Sequence, residues 1–172
     1  QYIYNKSFVE KTKKAKFKKI NNFNHKKYNN VITKYINRND LSNDCVLANI
    51  IKLMEELNIR VGNESYKKQN GSYGITTLLK THLKGNKLVF VGKKGITHTK
   101  IISNPKSITF IKKILTIKGP NLFYFKDGSK INPTNLNNFI KDKIQDGITC
   151  KDIRTYCANK IFLSFMNKTK IP

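Results

Sequence analysis

The chain reads IRVGNESY from Ile59 to Tyr66, which places an arginine between an apolar helical pattern and a glycine turn. Arginine is rare, because only Arg38, Arg60 and Arg154 occur among 34 basic residues. Lysine serves wherever a bare positive charge is sufficient, so a retained arginine indicates a place that needs a planar fork with several donors. Such a fork matches two oxygens of a phosphate. The sequence therefore predicts that Arg60 and Arg154 contact phosphate.

The composition predicts a polyanionic partner. The 172 residues carry a net charge of +24, which repels itself in a compact chain and favours a phosphate-rich polymer. Nucleic acid is the expected partner, and an anionic membrane surface is the main alternative. A hydrophobic fraction of 38% suffices for one packed domain. No run approaches the roughly 18 apolar residues of a membrane span, so we expect no membrane partner.

Cysteine usage and the chain ends bear on the compartment. Cys45, Cys150 and Cys157 show neither disulfide nor zinc-knuckle spacing, so we expect free thiols and no metal site. No signal peptide is visible, and we expect an intracellular location, wherever the DNA is. The chain begins at Gln1 rather than Met and stops at Pro172 after a helical pattern, as a segment cut from a longer protein would.

The N-terminal quarter predicts a strand end and a basic helix. Tyr2, Tyr4 and Phe8 alternate with other residues at period two, which indicates a strand. Six lysines then crowd between Lys11 and Lys19, a pattern typical of a solvated face and equally of a DNA-facing one. A single helix with a basic back is predicted here, its apolar face being Phe17, Ile20, Phe23, Val31, Ile32 and Tyr35.

A second helix is predicted from a cap at Asp40 or Ser42 to about Leu57. Its inward residues are Val46, Leu47, Ile50, Ile51, Met54 and Leu57. Gly71 and Gly74 then indicate irregular backbone.

Three β-prone runs follow, Ile75–Leu79, Lys87–Val91 and 96–102. The last two flank Gly92-Lys93-Lys94-Gly95 and predict a hairpin with two lysines at its tip. The sheet is expected to be small and antiparallel.

The C-terminal third predicts three helices. The first spans 107–117, the second begins at Asn132-Pro133 and runs to about Ile144, and the third opens with a capping box from Thr149 to Asp152. The last helix carries a predicted apolar stripe of Ile153, Cys157, Ile161, Leu163 and Phe165.

Taken in chain order, an Arg-Val-Gly-Asn at Arg60, a Val-Gly-Lys hairpin at Lys93 and a Lys-Asp-x-Arg-Thr-Tyr helix at Arg154 resemble the catalytic domain of type IB DNA topoisomerases. The poxvirus, bacterial and giant-virus branch is the most similar, and the stretch from Arg60 to Leu78 is the most family-like. The resemblance implies an α+β, mainly α fold with a small three-stranded antiparallel sheet. It also implies that residues 1–10 end an N-terminal DNA-binding domain and that residues 11–172 form a C-terminally incomplete catalytic domain. The implied partner is double-stranded DNA, which a monomer clamps.

The resemblance implies roles for individual residues. Arg60 and Arg154 hold the non-bridging oxygens of the scissile phosphate, Lys93 donates a proton to the departing 5′ oxygen, and Lys151 assists. The implied DNA contacts are Gln1, Tyr2, Tyr4, Asn63, Tyr66, Thr77, Lys94 and Asn159. No cofactor, metal or ATP is expected, because the cations neutralise the phosphate and a 3′-phosphotyrosyl ester stores the bond energy.

One departure from the family limits the chemistry expected of this chain. In the family a catalytic histidine and the nucleophilic tyrosine follow the Arg-Thr-Tyr helix, whereas this sequence stops at Pro172. Tyr156 matches a structural tyrosine and lies on a different helical face from Arg154. None of His25, His82 and His98 matches the catalytic histidine, and His98 is expected to be a plain surface residue. We therefore expect residues 1–172 alone not to cleave DNA.

Two other functions fit parts of the pattern. A tyrosine recombinase shares the fold and the Arg–Lys–Arg set, but it usually carries His-x-Leu-Arg-His at the second arginine, where this chain has Asp152-Ile153-Arg154-Thr155-Tyr156. A non-catalytic basic DNA-binding domain would use the arginines only to grip phosphates. Each residue also has a structural alternative: Arg60 as a helix-end cation, Arg154 as an ion-pair partner of Asp152 or Asp146, and Lys93 as a turn lysine.

Overall fold

The computed structural model describes residues 6–168, which fold into helices around a small sheet. The helices are α1 (Lys6–Asn21), α2 (His25–Arg38), α3 (Asn43–Leu57), α4 (Glu64–Asn70), α5 (Pro105–Ile114), α6 (Pro133–Phe139) and α7 (Cys150–Lys168). The strands are β1 (Leu83–Lys84), β2 (Lys87–Val91) and β3 (Thr97–Ile101), paired antiparallel in that order. The predicted fold class, mainly α with a three-stranded antiparallel sheet, is confirmed.

The N-terminal region forms two helices where one was predicted. Asn24 ends the continuity, because its side chain accepts a hydrogen bond from the Lys27 amide (2.9 Å) and so caps a new helix. Phe23 is buried in the break, whereas Phe17 is 64% exposed and does not belong to the apolar face. The predicted strand is wrong at Phe8, which lies in α1; Tyr2 and Tyr4 fall outside the described residues.

Helix α3 is the centre of the core, as predicted. All six of its predicted inward residues are buried, and the helix packs against α2, α5, α6 and α7. Each fully buried aliphatic side chain of this kind contributes about 1.5–3 kcal/mol. The helix ends at Asn58, whose left-handed conformation turns the chain toward Arg60.

The hairpin is confirmed, but the first predicted strand is wrong. Residues Ile75–Thr77 form a 3-10 turn, because the Thr77 hydroxyl accepts a hydrogen bond from the Gly74 amide (2.9 Å) and closes the backbone on itself. Beyond the turn, Leu79 makes only an isolated bridge to Asn121. The third strand of the sheet is Leu83–Lys84 instead.

The three C-terminal helices are present with shifted details. Helix α5 begins earlier than predicted, since Asn104 caps it and Pro105 takes its first position. Helix α6 continues through a π-helical turn to Ile144, as expected.

The predicted apolar stripe of α7 is only partly covered. Ile153 and Cys157 are buried, whereas Ile161, Leu163 and Phe165 are 58–62% exposed, so the described residues cover only the first half of the stripe. Within residues 6–168, no helix is long and apolar enough to cross a membrane.

Candidate active site

Two of the three arginines meet in one cavity of about 1020 Å³. Its walls come from the loop after α3, from α4 and the segment that follows it, from the tip of the β2–β3 hairpin, from the start of α6 and from the first two turns of α7. Seven of the predicted site residues line it: Arg60, Asn63, Tyr66, Lys93, Lys94, Lys151 and Arg154. Five of these seven are cations brought together from positions up to 94 residues apart (60 to 154).

The five cations of the cavity have no acidic partner among the residues that the structure describes. The ion pairs of the described chain involve other residues, namely Lys19–Asp152, Arg38–Asp40, Lys52–Glu55, Lys67–Glu64 and Lys143–Asp44. Arg154 is therefore not the partner of Asp152 or Asp146. Partial burial and, second, repulsion by Arg60 hold the pKa of Arg154 below its usual value. A nearby anion would favour the charged guanidinium and offset the repulsion between the two arginines.

A backbone crossing between two glycines fixes the position of Arg60. The Ile75 amide donates to the Arg60 carbonyl (2.7 Å), and the Thr76 amide donates to the Val61 carbonyl (2.9 Å). A Cβ on Gly74 would lie only 2.4 Å from the Gly62 nitrogen and 2.6 Å from the Arg60 oxygen. The two chain segments thus touch backbone to backbone, which holds the arginine on rigid support.

The hairpin tip that carries Lys93 is attached to the same support. The Tyr73 amide, beside Gly74, donates to the Val91 carbonyl at the end of β2 (2.8 Å). Across the tip, the Gly92 amide donates to the Ile96 carbonyl (2.8 Å), and Lys94 adopts a left-handed conformation with φ of 65°. Lys93 is therefore held on an ordered turn rather than on a loose loop.

His98 is not the plain surface residue that was expected. Its ring is half-buried beside Phe90 and lies so close to Gly92 that an added Cβ would be 2.4 Å from the ring. It also lines a second cavity of about 450 Å³ that Arg60, Lys93 and Arg154 share. The glycine six residues earlier was the only sequence signal for this contact.

The capping box places Arg154 and Lys151. The Asp152 carboxylate accepts from the Thr149 amide (3.0 Å) and hydroxyl (2.7 Å), as predicted. Ile153 is fully buried and fixes which side of α7 faces the core. Lys151 and Arg154, three residues apart, share the face that lines the cavity.

Asp152→Asn is expected to lower the free energy of unfolding by about 1–2 kcal/mol at pH 6, because it removes the charge that binds Lys19 (2.6 Å) and Thr149. Burial raises the pKa of Asp152, but Lys19 and Thr149 outweigh it and hold the pKa below its usual value. Stability from a depressed carboxyl pKa is fully present above the usual pKa, about 3.9, and is lost as the pH falls from there through the lowered pKa of the folded state. Urea unfolding between pH 3 and 7 should show the difference shrinking below about pH 4.

The exposed Asp142 provides the matched control, since Asp142→Asn should change stability by less than about 0.5 kcal/mol at any of these pH values. A difference between wild type and Asp152→Asn that stays constant down to pH 3 would contradict the assignment.

The other predicted contacts lie elsewhere. Thr77 is buried, and its hydroxyl is engaged with Gly74, so it supports the glycine crossing rather than facing the cavity. Asn159 is exposed on α7 but does not line the cavity. Gln1, Tyr2 and Tyr4 fall outside the described residues.

Ten residues of the cavity wall were not among the predicted site residues, and four of them carry hydroxyl or amide side chains: Asn70, Ser72, Tyr73 and Thr155. Tyr73 contacts the His82 ring edge-on, with centroids 4.4 Å apart. Its place within the family-like stretch that ends at Leu78 was the available signal.

Tyr156 packs away from the cavity. Its ring lies 5.1 Å from Phe23 and 5.0 Å from His25, between centroids, and burial raises its pKa. A raised pKa disfavours the phenolate that a nucleophile requires. The surroundings of Tyr156 are those of a packing residue. In the part of the chain described here, no group of three His, Cys, Asp or Glu residues could hold a metal ion.

Comparison with known proteins points in one direction. The family model for the eukaryotic DNA topoisomerase I catalytic core matches residues 5–171. DNA topoisomerase 1B of Acanthamoeba polyphaga mimivirus is 31% identical over 177 residues, covering 95% of this chain and 53% of the relative. DNA topoisomerase 1B of vaccinia virus (strain Copenhagen) is 30% identical over 174 residues, covering 95% and 52%. The chain thus spans about half the length of the curated relatives it matches.

A solved structure shows the same fold at low sequence identity. The XerH site-specific recombinase bound to difH substrate matches with a TM-score of 0.52 and 12% identity, over 78% of this chain and 41% of that one. At this identity the likeness describes the fold alone.

Proposed function

This chain belongs to the DNA topoisomerase I catalytic-core family, and from that premise we propose that its cation-lined cavity holds the scissile phosphate of duplex DNA during strand cleavage and religation of the type IB kind. The observation that carries the proposal is the meeting of five cations without acidic partners within the described chain. Such a cluster is costly unless an anion occupies it. One phosphodiester supplies a single negative charge, and neighbouring phosphates along the strand supply the further negative charge that five cations require.

The two arginines suit the phosphate itself. Phosphoryl transfer depends on positioning and on stabilising charge at the equatorial oxygens. Arg60 approaches from the glycine crossing and Arg154 from the first turn of α7, where the positive end of the helix dipole adds to the attraction. Two guanidinium forks on separate rigid elements can hold the non-bridging oxygens from two sides.

Lys93 is the proposed general acid. A tyrosine phenolate attacks phosphorus, the bond to the 5′ oxygen breaks, and Lys93 gives its proton to that oxygen. Religation reverses each step, so the proton returns to Lys93 and the phenolate leaves. The covalent ester keeps the energy of the broken bond, so no ATP is consumed. Lys151, one turn from Arg154, supports the same phosphate.

The remaining cavity wall is proposed to meet the duplex beside that phosphate. Tyr66 is 59% exposed on α4, and Lys94 lies next to the general acid at the hairpin tip. Asn63 lines the cavity too, although its side-chain oxygen already caps α4 through the Ser65 amide (2.8 Å). Residues 1–10 are proposed to end a DNA-binding domain and to contact DNA through Gln1, Tyr2 and Tyr4, and residues 11–172 are proposed to belong to the catalytic domain. We expect the protein to act as a monomer, in whichever compartment holds the DNA. Asn159 is proposed as a contact beyond the cavity.

Duplex binding by the purified chain tests the proposal. Fluorescence anisotropy with a 25-bp duplex between 50 and 200 mM KCl should give a log–log slope of about −0.9 for each phosphate contacted. Arg60→Ala/Arg154→Ala should reduce the magnitude of that slope by about 2, because two phosphate-facing charges are lost.

The control removes equal charge elsewhere. Lys112 and Lys141 are exposed and lie outside the cavity, so Lys112→Ala/Lys141→Ala should leave the slope nearly unchanged. Equal changes of the salt slope in the two double variants would contradict the proposal, since binding would then depend on net charge and not on the cavity.

A further inference from the structure

The exposed side of α1 carries lysines that the proposed site does not use. Lys11, Lys13, Lys14, Lys16 and Lys18 are all exposed, and none forms an ion pair with another described residue. Like charges three and four residues apart destabilise a helix. The sequence keeps these closely spaced lysines. The last turns of α1 contact the rest of the protein through the buried Ile20 and through Lys19, which is paired with Asp152.

Three of these lysines form one face. At about 100° per residue, Lys11, Lys14 and Lys18 fall within an arc of about 60°. Ile20 lies about 150° from the centre of that arc, so the three lysines point away from the core. Seven residues of helix rise about 10 Å, which matches about three successive phosphates at 3.4 Å per strand step. We call Lys11, Lys14 and Lys18 the α1 lysine face.

The C-terminal end of α1 is attached to α7, the helix whose first turns form one wall of the cavity. Lys19 Nζ lies 2.6 Å from Asp152 of α7, whose neighbour Lys151 lines the cavity. The loop after α1 is tied to the chain leading into α7 as well, because the Gln145 amide group donates to the Asn22 carbonyl (3.1 Å) and its oxygen accepts from the Asn24 amide (2.8 Å). The C-terminal end of α1 is therefore held beside the first turn of α7.

We propose that the α1 lysine face is a second contact for duplex DNA, separate from the cavity, that binds phosphates flanking the bound one. The inference rests on the proposed function, since it takes the cavity as the central phosphate site. A membrane surface is a poorer fit, because an interfacial helix needs an apolar face and Phe17 is the one large apolar side chain exposed between residues 9 and 21.

The test compares two triple variants of the full chain. Lys11→Gln/Lys14→Gln/Lys18→Gln removes the face, and Lys112→Gln/Lys126→Gln/Lys141→Gln removes three exposed lysines outside the cavity. Glutamine keeps helix propensity, so both should fold, and circular dichroism with thermal melting checks this. The probe is a 25-bp duplex at 100 mM KCl.

The expected result is specific to the α1 variant. Its affinity for the duplex should fall about 10- to 100-fold, with the salt slope smaller by about 2 to 3, whereas binding by the control triple should change less than about 3-fold. Lys11→Arg/Lys14→Arg/Lys18→Arg should restore wild-type binding, since the charge returns.

Three outcomes would overturn the inference. Equal losses in both triples would mean that only net charge matters. No loss in the α1 triple, with loss in Arg60→Ala/Arg154→Ala, would remove the second contact and leave the proposed function standing. Binding of the wild type to phosphatidylserine vesicles that the α1 triple abolishes, with DNA binding unchanged, would assign the face to a lipid surface.

Discussion

Arg154→Ala is expected to slow DNA strand cleavage about 10³-fold while weakening duplex binding less than about 10-fold. The guanidinium is partly buried beside Arg60 with no acidic partner among residues 6–168, so its charge is available to the phosphate. Loss of one preorganised donor costs about 10²–10³ in rate, and an arginine on a transferring phosphoryl group more. Binding is shared among many phosphate contacts, so it should fall far less.

The measurement requires a tyrosine nucleophile. It can be supplied by fusing residues 1–172 to the C-terminal part of the mimivirus relative and following covalent adduct formation on a labelled duplex. Arg154→Lys keeps the charge but loses the fork, so it should retain part of the rate. Arg38, paired with Asp40 (3.1 Å) outside the cavity, gives the control, and Arg38→Ala should change cleavage less than 2-fold.

Two results would contradict this account. If binding and cleavage fell in proportion in Arg154→Ala, the arginine would only grip DNA. Residues 1–172 without a fused partner should form no adduct, so a phosphotyrosyl bond mapped to Tyr156 would mean that this packed ring leaves Phe23 and His25 and becomes the nucleophile.

The site was predictable from the sequence where its signals are local. The scarcity of arginine singled out Arg60 and Arg154, the flanking glycines singled out Lys93, and Thr149 with Asp152 predicted the start of α7. Each signal depends on residues within a few positions of each other. That these residues meet in one cavity was predicted from the family resemblance and not from any of these local patterns.

The wrong predictions share one cause, which is that they depend on individual side-chain contacts. Ile75–Leu79 has strand propensity, yet Thr77 bonds to Gly74 and forms a 3-10 turn that packs on the loop of Arg60. Ile161 and Leu163 have apolar side chains, but burial depends on what lies opposite, and nothing described covers them. The role of His98 depends on the ring meeting Gly92 across the hairpin. Periodicity cannot report such contacts.

Gly74→Ala is expected to destabilise the fold by about 3 kcal/mol or more and to remove most of the cavity's affinity for DNA. Gly74 has a φ of −141°, which any residue adopts, so its backbone carries no strain that requires glycine. The reason is contact alone: the new methyl would lie 2.4–2.6 Å from Gly62 N, Gly62 Cα and Arg60 O. These are backbone atoms, so the crossing must open, and overpacking of this kind costs 1–3 kcal/mol or more.

Gly128 is the control that distinguishes the effect of a steric contact from the effect of a strained backbone. It has a φ of 85°, and no atom lies within 4 Å of an added Cβ. Gly128→Ala should therefore cost only the strain of a left-handed alanine, about 1–2 kcal/mol, and leave DNA binding unchanged. Urea unfolding gives both stabilities, and an unchanged m-value confirms that the same surface is exposed. Equal destabilisation of the two variants, with DNA binding intact in Gly74→Ala, would mean that Arg60 does not depend on the glycine crossing. A larger loss confined to Gly74→Ala, with the salt slope reduced as in Arg60→Ala, would show that two glycines twelve residues apart set the position of the phosphate-binding arginine.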